Sequence, residues 1–307
     1  MENRKIFHKR LDLPLERCLW MIDALLQVRR QGFTMMPAFF AIDLPMEDSA
    51  VLEMECLSGR AISFHNHSEV AACLYCLAQF HRAARFVPVG SDGWSFPTAD
   101  KKLHKRRDDF VLLLDETSCT AVSDRRWQYW RELVKSGAAL WLSCADDALA
   151  ALSSDKLFRM KHEAVIGGQL IHGDTAAHNF MIDHTGAICL IDFDLIHHDA
   201  PVIDLWQFIS RLLFEKGWSM DILSWALNVY NKYNAISLEE SRIICQLLLF
   251  PADILREVIG TGKGKKGYRL YNCIRFLERF HRQQAEWLTF REALKQRLGG
   301  DKRGGVF

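Results

Sequence analysis

Between Glu163 and Ser210 the sequence has no lysine and no arginine, although seven acidic residues fall there. The 307 residues as a whole carry 39 Lys and Arg against 38 Asp and Glu, a net charge of +1, so the shortage is local. Near neutrality excludes a general binder of nucleic acid or of anionic membrane surfaces. No apolar run approaches the ~20 residues that cross a bilayer, so no membrane span is expected. The first residues, MENRKIFHKR, are charged with no apolar stretch behind them, which is not a signal peptide. The expected location is the cytoplasm. Nine cysteines without a secretion signal read as free thiols rather than a disulfide framework. The lone C-x-x-C, Cys73 and Cys76, lies inside SEVAACLYCLAQFHRA, where Val70, Leu74 and Leu77 recur at helical spacing behind Ser68 as N-cap. A redox motif would open a helix after a strand, so these two read as core thiols. There is no internal repeat.

What is present is a small mixed segment followed by a long helical one. KIFHKRL (5–11) alternates as a strand. The next run has Asp12 as a candidate cap, Pro14 in the first turn, Leu19, Ile22, Leu26 and Arg29 on one face, and Gly32 as its stop. Strand-like pieces follow around Pro37–Asp43 and Ala50–Cys56, then the turn Ser58-Gly59. From about residue 68 the pattern is helical, interrupted by a hairpin: NFMID, the turn HTG, and AICLID. Ser237 and Glu240 make a capping box, and Pro251 is expected to kink the helix after it. The expected fold class is α+β and bilobal, with residues 1–58 as a reduced N-terminal nucleotide lobe and 59–307 as a large helical C-terminal lobe.

The hairpin carries the chemistry. Asp174 and Asn179 stand five apart in H-G-D-x-x-x-x-N, the spacing of a kinase catalytic loop, in which the Asp accepts the substrate hydroxyl's proton and the Asn binds magnesium. Asp192, in IDFD, comes thirteen residues later, and a hairpin between the two brings them back together. Carboxylates about 4 Å apart repel by roughly 4 kcal/mol at an effective dielectric near 20. Converging acids therefore need a cation, and magnesium bridging nucleotide phosphates favours such oxygen ligands.

HGDTAAHN with IDFD resembles the aminoglycoside/choline-kinase branch of the protein-kinase-like superfamily. With LERCLWMIDALLQVRRQGF, LEMECLSGR, LAQFHRAARF, IDFDLIHHDAPVIDLWQF and LLLFPADILREV, the chain resembles more narrowly the CotS-type spore-coat kinase-like proteins of endospore-forming bacteria, over residues 9 to 260. The resemblance implies an aminoglycoside-phosphotransferase-type fold. It makes Asp174 the general base, Asn179 and Asp192 magnesium ligands, and Asp194 a further acid at the metal. Asp204 would brace the catalytic loop, and Glu55 to Leu57 would form a hinge whose backbone binds adenine. Lys9 would pair the phosphates with Glu16 as its helical partner, Lys5 competing for that role. In one respect the chain departs from the pattern. Kinase-like chains have two strands and a glycine-rich loop before that lysine, whereas only eight residues precede Lys9, with no G-x-G-x-x-G. The expectation is a trimmed N-terminal lobe or a start that lies upstream.

The implied activity is ATP- and magnesium-dependent phosphoryl transfer to a hydroxyl of a small molecule or coat component, with spore-coat proteins as partners and incorporation into the coat. A silent kinase-like scaffold is the alternative. A metal-dependent phosphohydrolase built on His172, Asp174 and His197-His198-Asp199 is the third reading, and it leaves Asn179 and the hairpin unexplained. Other features read as structure. KKLHKRR (101–107) is a solvated face, and GKGKKG (262–267) a basic loop without Walker spacing. His65 and His67 are surface residues, while Trp127, Trp130 and Trp141 are core anchors.

Overall fold

A computed structural model describes residues 5–46, 49–89, 96–119 and 124–300. The first four residues, MENR, lie outside the described residues. In order the elements are β1 (Ile6–Leu11), α1 (Leu15–Arg30), β2 (Phe39–Met46), β3 (Ser49–Glu55), β4 (Arg60–Ala61), α2 (His67–Ala83), α3 (Ala99–Cys119), α4 (Arg125–Ala151) and α5 (Ser154–Ile166). Then come β5 (Leu170–Ile171), β6 (Phe180–Ile182), β7 (Ile188–Leu190), β8 (His197–His198), α6 (Val202–Lys216), α7 (Met220–Asn231), α8 (Leu238–Leu248), α9 (Ala252–Gly262) and α10 (Leu270–Gly300). The fold is α+β, as expected. Residues 1–96, 159–208 and 225–236 form one compact unit; residues 97–158, 209–224 and 237–307 form another.

The first unit holds all the strands. β1 and β2 flank β3 in an antiparallel sheet, with Phe7 opposite Met54 and Lys9 opposite Leu52. α1 buries Cys18, Met21, Ala24, Leu25 and Val28, a face one residue ahead of the expected Leu19, Ile22, Leu26 and Arg29. Its apolar arc is wide, so its periodicity left the centre of the buried stripe undetermined. Its N-cap is Pro14, not Asp12. α2 is capped by Asn66 rather than Ser68: the Asn66 side chain accepts from the N–H of Ser68 and of Glu69. Buried Glu69 takes Arg60 of β4 and the Ser63 N–H, and its carboxyl lies below the usual range chiefly because of the Arg60 hydrogen bond. The hairpin forms as read, with Phe180 opposite Leu190 and Ile182 opposite Ile188. Asp183 closes it by accepting from Thr185 and the Ala187 N–H, and Gly186 takes φ +86°. Fully buried Phe208 lies edge-on between Phe64 and Phe180 and seats the hairpin on α6.

The second unit is helical. Trp130, Trp141, Phe280 and Trp287 are at most 1% exposed and make its core, with Trp127 half-buried against Trp130. KKLHKRR lies in α3, where Lys105 and Asp109 pair at i,i+4. The capping box of Ser237 and Glu240 is present. Pro251 breaks the chain instead of kinking one helix, ending α8 and serving as N-cap of α9.

Candidate active site

The loop His172–Thr175 hangs from a buried carboxylate. Asp204, in the first turn of α6 and fully buried, accepts from the N–H of His172 at 2.7 Å, the N–H of Gly173 at 2.8 Å and His81 Nε2 at 3.0 Å. Its backbone carbonyl accepts from the Thr175 hydroxyl at 2.9 Å. Burial alone would raise the Asp204 carboxyl, but the His81 hydrogen bond and charge, with those of the loop, hold it below its ordinary value. Gly173 sits at φ +84°, and a Cβ there would lie 2.5 Å from the Leu195 carbonyl oxygen. Only glycine fits. His172 donates from Nε2 to the Ile191 carbonyl at 2.9 Å, and its Nδ1 faces the Asp174 N–H at 3.3 Å. Both ring nitrogens are thus engaged, and burial pulls the imidazole below its ordinary pKa.

Asp174 therefore leaves a loop fixed from beneath. Asn179 is 1% exposed and donates from Nδ2 to the Asp174 carbonyl at 2.9 Å and to Oδ2 at 3.2 Å. Both acceptors are oxygens, which fixes the amide orientation and turns Oδ1 away from Asp174. The Ile191 N–H donates to the Asn179 carbonyl at 2.9 Å, so the second hairpin strand ends beside Asn179 and delivers Asp192 there. Asp192 is left-handed (φ 67°, ψ 64°), a conformation uncommon for a non-glycine residue.

Lys9 closes the group from the sheet. Phe7, Lys9 and Leu11 share one face of β1, and Lys9 bonds Asp192 and, at 2.6 Å, Asp194. Burial pulls the Lys9 ammonium down, but the bonds and charge of the two acids more than offset this and hold it above its ordinary pKa. Lys5 instead contributes its carbonyl to the Cys56 N–H. Glu16 is exposed on α1, and Lys9 is paired with the acids rather than with it. Glu55 ends β3, exchanging bonds with the Ala38 backbone, and Leu57 follows in the connection to β4. So Lys9, Asp192 and Asp194 are brought together, as are Asp174 and Asn179.

The donor set Asn179 Oδ1, Asp192 and Asp194 is all oxygen and carries two carboxylates, chemistry that fits magnesium. Among the described residues no group of three or more His, Cys, Asp and Glu is arranged to hold a metal by itself. A magnesium ion there would draw its remaining ligands from phosphate and water. His198 sends Nε2 to the Val87 carbonyl at 3.0 Å and is buried in β8 with His197. With His172 also spent on protein partners, the ligand set of the hydrolase reading does not assemble.

Two contributors escaped the sequence reading. Arg17, 2% exposed on α1, donates to the Ile196 carbonyl and lies 4.4 Å from the Trp20 ring, gripping the backbone two residues after Asp194. His81 is the other. A buried arginine inside an amphipathic helix has no periodicity signal of its own, and His81 appeared only within LAQFHRAARF.

Comparison with known proteins follows this geometry. A family model described as the phosphotransferase enzyme family matches residues 5–227. No curated protein sequence matches. Among solved structures the chain is similar to an aminoglycoside phosphotransferase from Alicyclobacillus acidocaldarius, with TM-score 0.80, 20% identity, and 98% of this chain and 89% of that one covered. It is also similar to a spectinomycin phosphotransferase solved with AMP, at TM-score 0.68, 12% identity and coverage of 95% and 88%. An ethanolamine kinase of Plasmodium vivax gives TM-score 0.56, 13% identity and coverage of 95% and 78%. At such identities the likeness is one of fold, the kinase-like fold expected from HGDTAAHN and IDFD. The family model spans well over half of the chain, and the protein belongs to the phosphotransferase enzyme family.

Proposed function

We propose that this protein transfers the γ-phosphoryl group of ATP, with magnesium, to a hydroxyl of a small molecule or coat component. The observation that supports it best is Lys9 reaching from β1 to Asp192 and Asp194 beside a loop in which Asn179 holds Asp174. A cation on the sheet, two acids on the hairpin and a carboxylate on a braced loop are the parts phosphoryl transfer requires. Phe7 shares the Lys9 face and is 51% exposed, offering an aromatic platform for a base beside the Glu55–Leu57 backbone. That a related fold was solved with AMP supports a nucleotide there.

In this reading Asp174 takes the proton from the acceptor hydroxyl as the oxygen attacks, and Asn179 keeps its carboxylate aimed. Asn179, Asp192 and Asp194 would hold magnesium, which would neutralise phosphate charge. Lys9 exchanges the two carboxylates for phosphate oxygens. The stretches resembling spore-coat proteins support a coat setting with coat proteins as partners. One observation favours the silent scaffold instead: Lys9 bonds both acids with no ligand between them.

The test is a melting curve with magnesium and ATP, followed by product analysis. A ligand at 100 times its Kd stabilises by about 2.7 kcal/mol. Asp192→Ala should remove the magnesium-dependent part. Asp174→Asn should bind nucleotide yet lose about 10²–10⁴-fold in turnover. No shift at millimolar Mg-ATP would overturn the phosphotransfer reading in favour of the scaffold. Loss of bound metal in His198→Ala, with Asp174→Asn metal-replete, would restore the hydrolase.

A further inference from the structure

The two basic runs of the sequence meet in the second unit. Residues 101–109 and 262–269 carry nine Lys and Arg against two acids, a net +7; the whole chain is +1, so everything outside them sums to −6. On α3, Lys101, Lys105 and Asp109 recur at i,i+4 and form one row about 12 Å long. Asp109 accepts from Lys105 at 2.9 Å and, across 154 positions, from Lys263 at the end of α9 at 3.0 Å. That carboxylate ties the loop after α9 to the row.

The loop has a fixed shape. Gly264 is left-handed at φ +59°; its N–H donates to the Thr261 carbonyl at 3.1 Å and the Lys265 N–H to the Gly260 carbonyl at 2.9 Å, the double closure that stops a helix on glycine. A turn follows with Gly267 at φ +91°, closed by the Tyr268 N–H on the Lys265 carbonyl at 3.1 Å. The Tyr268 ring folds back over Gly260, where a Cβ would come within 2.4 Å of it. Lys265 and Lys266 are thus held at an exposed corner. The nearby acids have other partners. Asp108 pairs with Arg107, which also bonds Asp146 of α4, and Asp253 and Glu257 of α9 both pair with Arg256. Among the described residues Lys101, Lys265 and Lys266 pair with no carboxylate.

We infer that the Lys101–Lys105 row of α3 and the Lys263–Lys266 corner form a docking surface for an acidic polypeptide segment. An extended chain of about four residues spans the row. A long nucleic acid or a membrane would also meet the rest of the molecule, which is net negative, whereas a short segment meets the patch alone. Single strands further need exposed rings for stacking, and Tyr268, the one Phe, Tyr or Trp of the two segments, is turned onto α9. Because the loop is already ordered, little conformational freedom is lost on docking. The inference does not depend on the phosphotransfer reading.

The test is fluorescence anisotropy of a fluorescein-labelled oligoglutamate peptide titrated with the full chain. It should bind saturably, and at least about tenfold more weakly once Lys101, Lys265 and Lys266 are all replaced by Glu, or once salt rises from about 50 to about 200 mM. The melting temperature of this variant should stay near that of wild type, because no carboxylate loses a partner. Reversing Arg30, Lys135 and Lys232, exposed residues outside both segments, changes the net charge equally and should alter the affinity by less than about threefold. Equal loss in the two triple variants, or no binding of the peptide at low salt, overturns the inference. So does tighter binding to an oligothymidylate of the same charge, or to phosphatidylserine–phosphatidylcholine vesicles, that is lost in the patch variant: the surface would then belong to a nucleic acid or a membrane.

Discussion

Replacing Asp204 by asparagine changes one oxygen to an amide group at the centre of the brace. Three donors converge on the carboxylate: the His172 N–H and His81 Nε2 share Oδ2, and the Gly173 N–H meets Oδ1. An asparagine in the same rotamer keeps two of them by placing its oxygen where Oδ2 stood. Its NH₂ then faces the Gly173 N–H, donor against donor. An unsatisfied buried donor costs about 1–3 kcal/mol, and the two surviving bonds each lose about 1 kcal/mol with the charge. The expected destabilisation is thus about 3–5 kcal/mol at pH 7, a large fraction of a typical folding free energy.

The pH dependence fixes the mechanism. The folded Asp204 pKa is depressed, so its contribution is present above the unfolded value near 3.9 and is lost as pH falls through the folded one. Urea unfolding of both proteins should therefore give a constant gap from pH 7 to about pH 5, closing only below pH 4. Amide exchange should quicken most at Gly173, the residue before Asp174. A gap under about 1 kcal/mol at pH 7, or one that shrinks between pH 7 and 5, would refute the carboxylate brace.

Gly173→Ala adds a methyl 2.5 Å from the Leu195 carbonyl oxygen at φ +84°, so turnover should fall at least tenfold and stability by about 2 kcal/mol or more, read by kinetics and urea titration. Lys9→Met breaks two partly exposed ion pairs, so solvent screening limits the stability loss to about 1 kcal/mol or less. That loss should hold constant from pH 6 to 9, because a raised lysine pKa keeps its full contribution below about 10.4, whereas affinity for Mg-ATP should drop sharply in a binding titration. Iodoacetamide at pH 8 should label exposed Cys56 well before Cys73 or Cys76, whose burial pushes both thiols far above the ordinary range.

The sequence was most legible where a motif and its local structure coincide. The HTG turn, the strands either side of it and the capping box at Ser237 depend on contacts within a few residues, and all formed where they were read. Legibility failed where the deciding contact is distant. Three of the strands, β4, β5 and β8, are two residues long, too short for alternation to show: β4 is held by β6, and β5 and β8 by each other. α1 presents a wide apolar arc, so its packing on β3 and α2, not its periodicity, selects Cys18, Met21 and Leu25 for burial. Asn66 took the cap of α2 instead of Ser68, starting the helix two residues earlier, with Glu69 of its first turn tied to Arg60 and Ser63.

The site divides in the same way. Asp174, Asn179 and Asp192 were visible because loop and hairpin set their spacing locally, and Asp204 because APVIDLWQF resembles the family pattern. What the sequence could not show is how the stretch without lysine or arginine tolerates its acids. Four of its carboxylates are answered by three different devices, none of them a lysine or arginine inside the stretch. Asp183 is satisfied by backbone and hydroxyl donors of its own turn, Asp204 by two amides and a histidine from α2, and Asp192 with Asp194 by a lysine more than 180 residues earlier. A basic residue inside the stretch would sit beside Asp192 permanently and compete with any cation brought by a substrate. Lys9 comes from β1, a separate element, and its contact with the acids is partly exposed, so the bond is cheap to exchange for phosphate. On the proposed phosphotransfer reading, the local absence of positive charge is what leaves the acids available, and the distant lysine is what holds them until a ligand arrives.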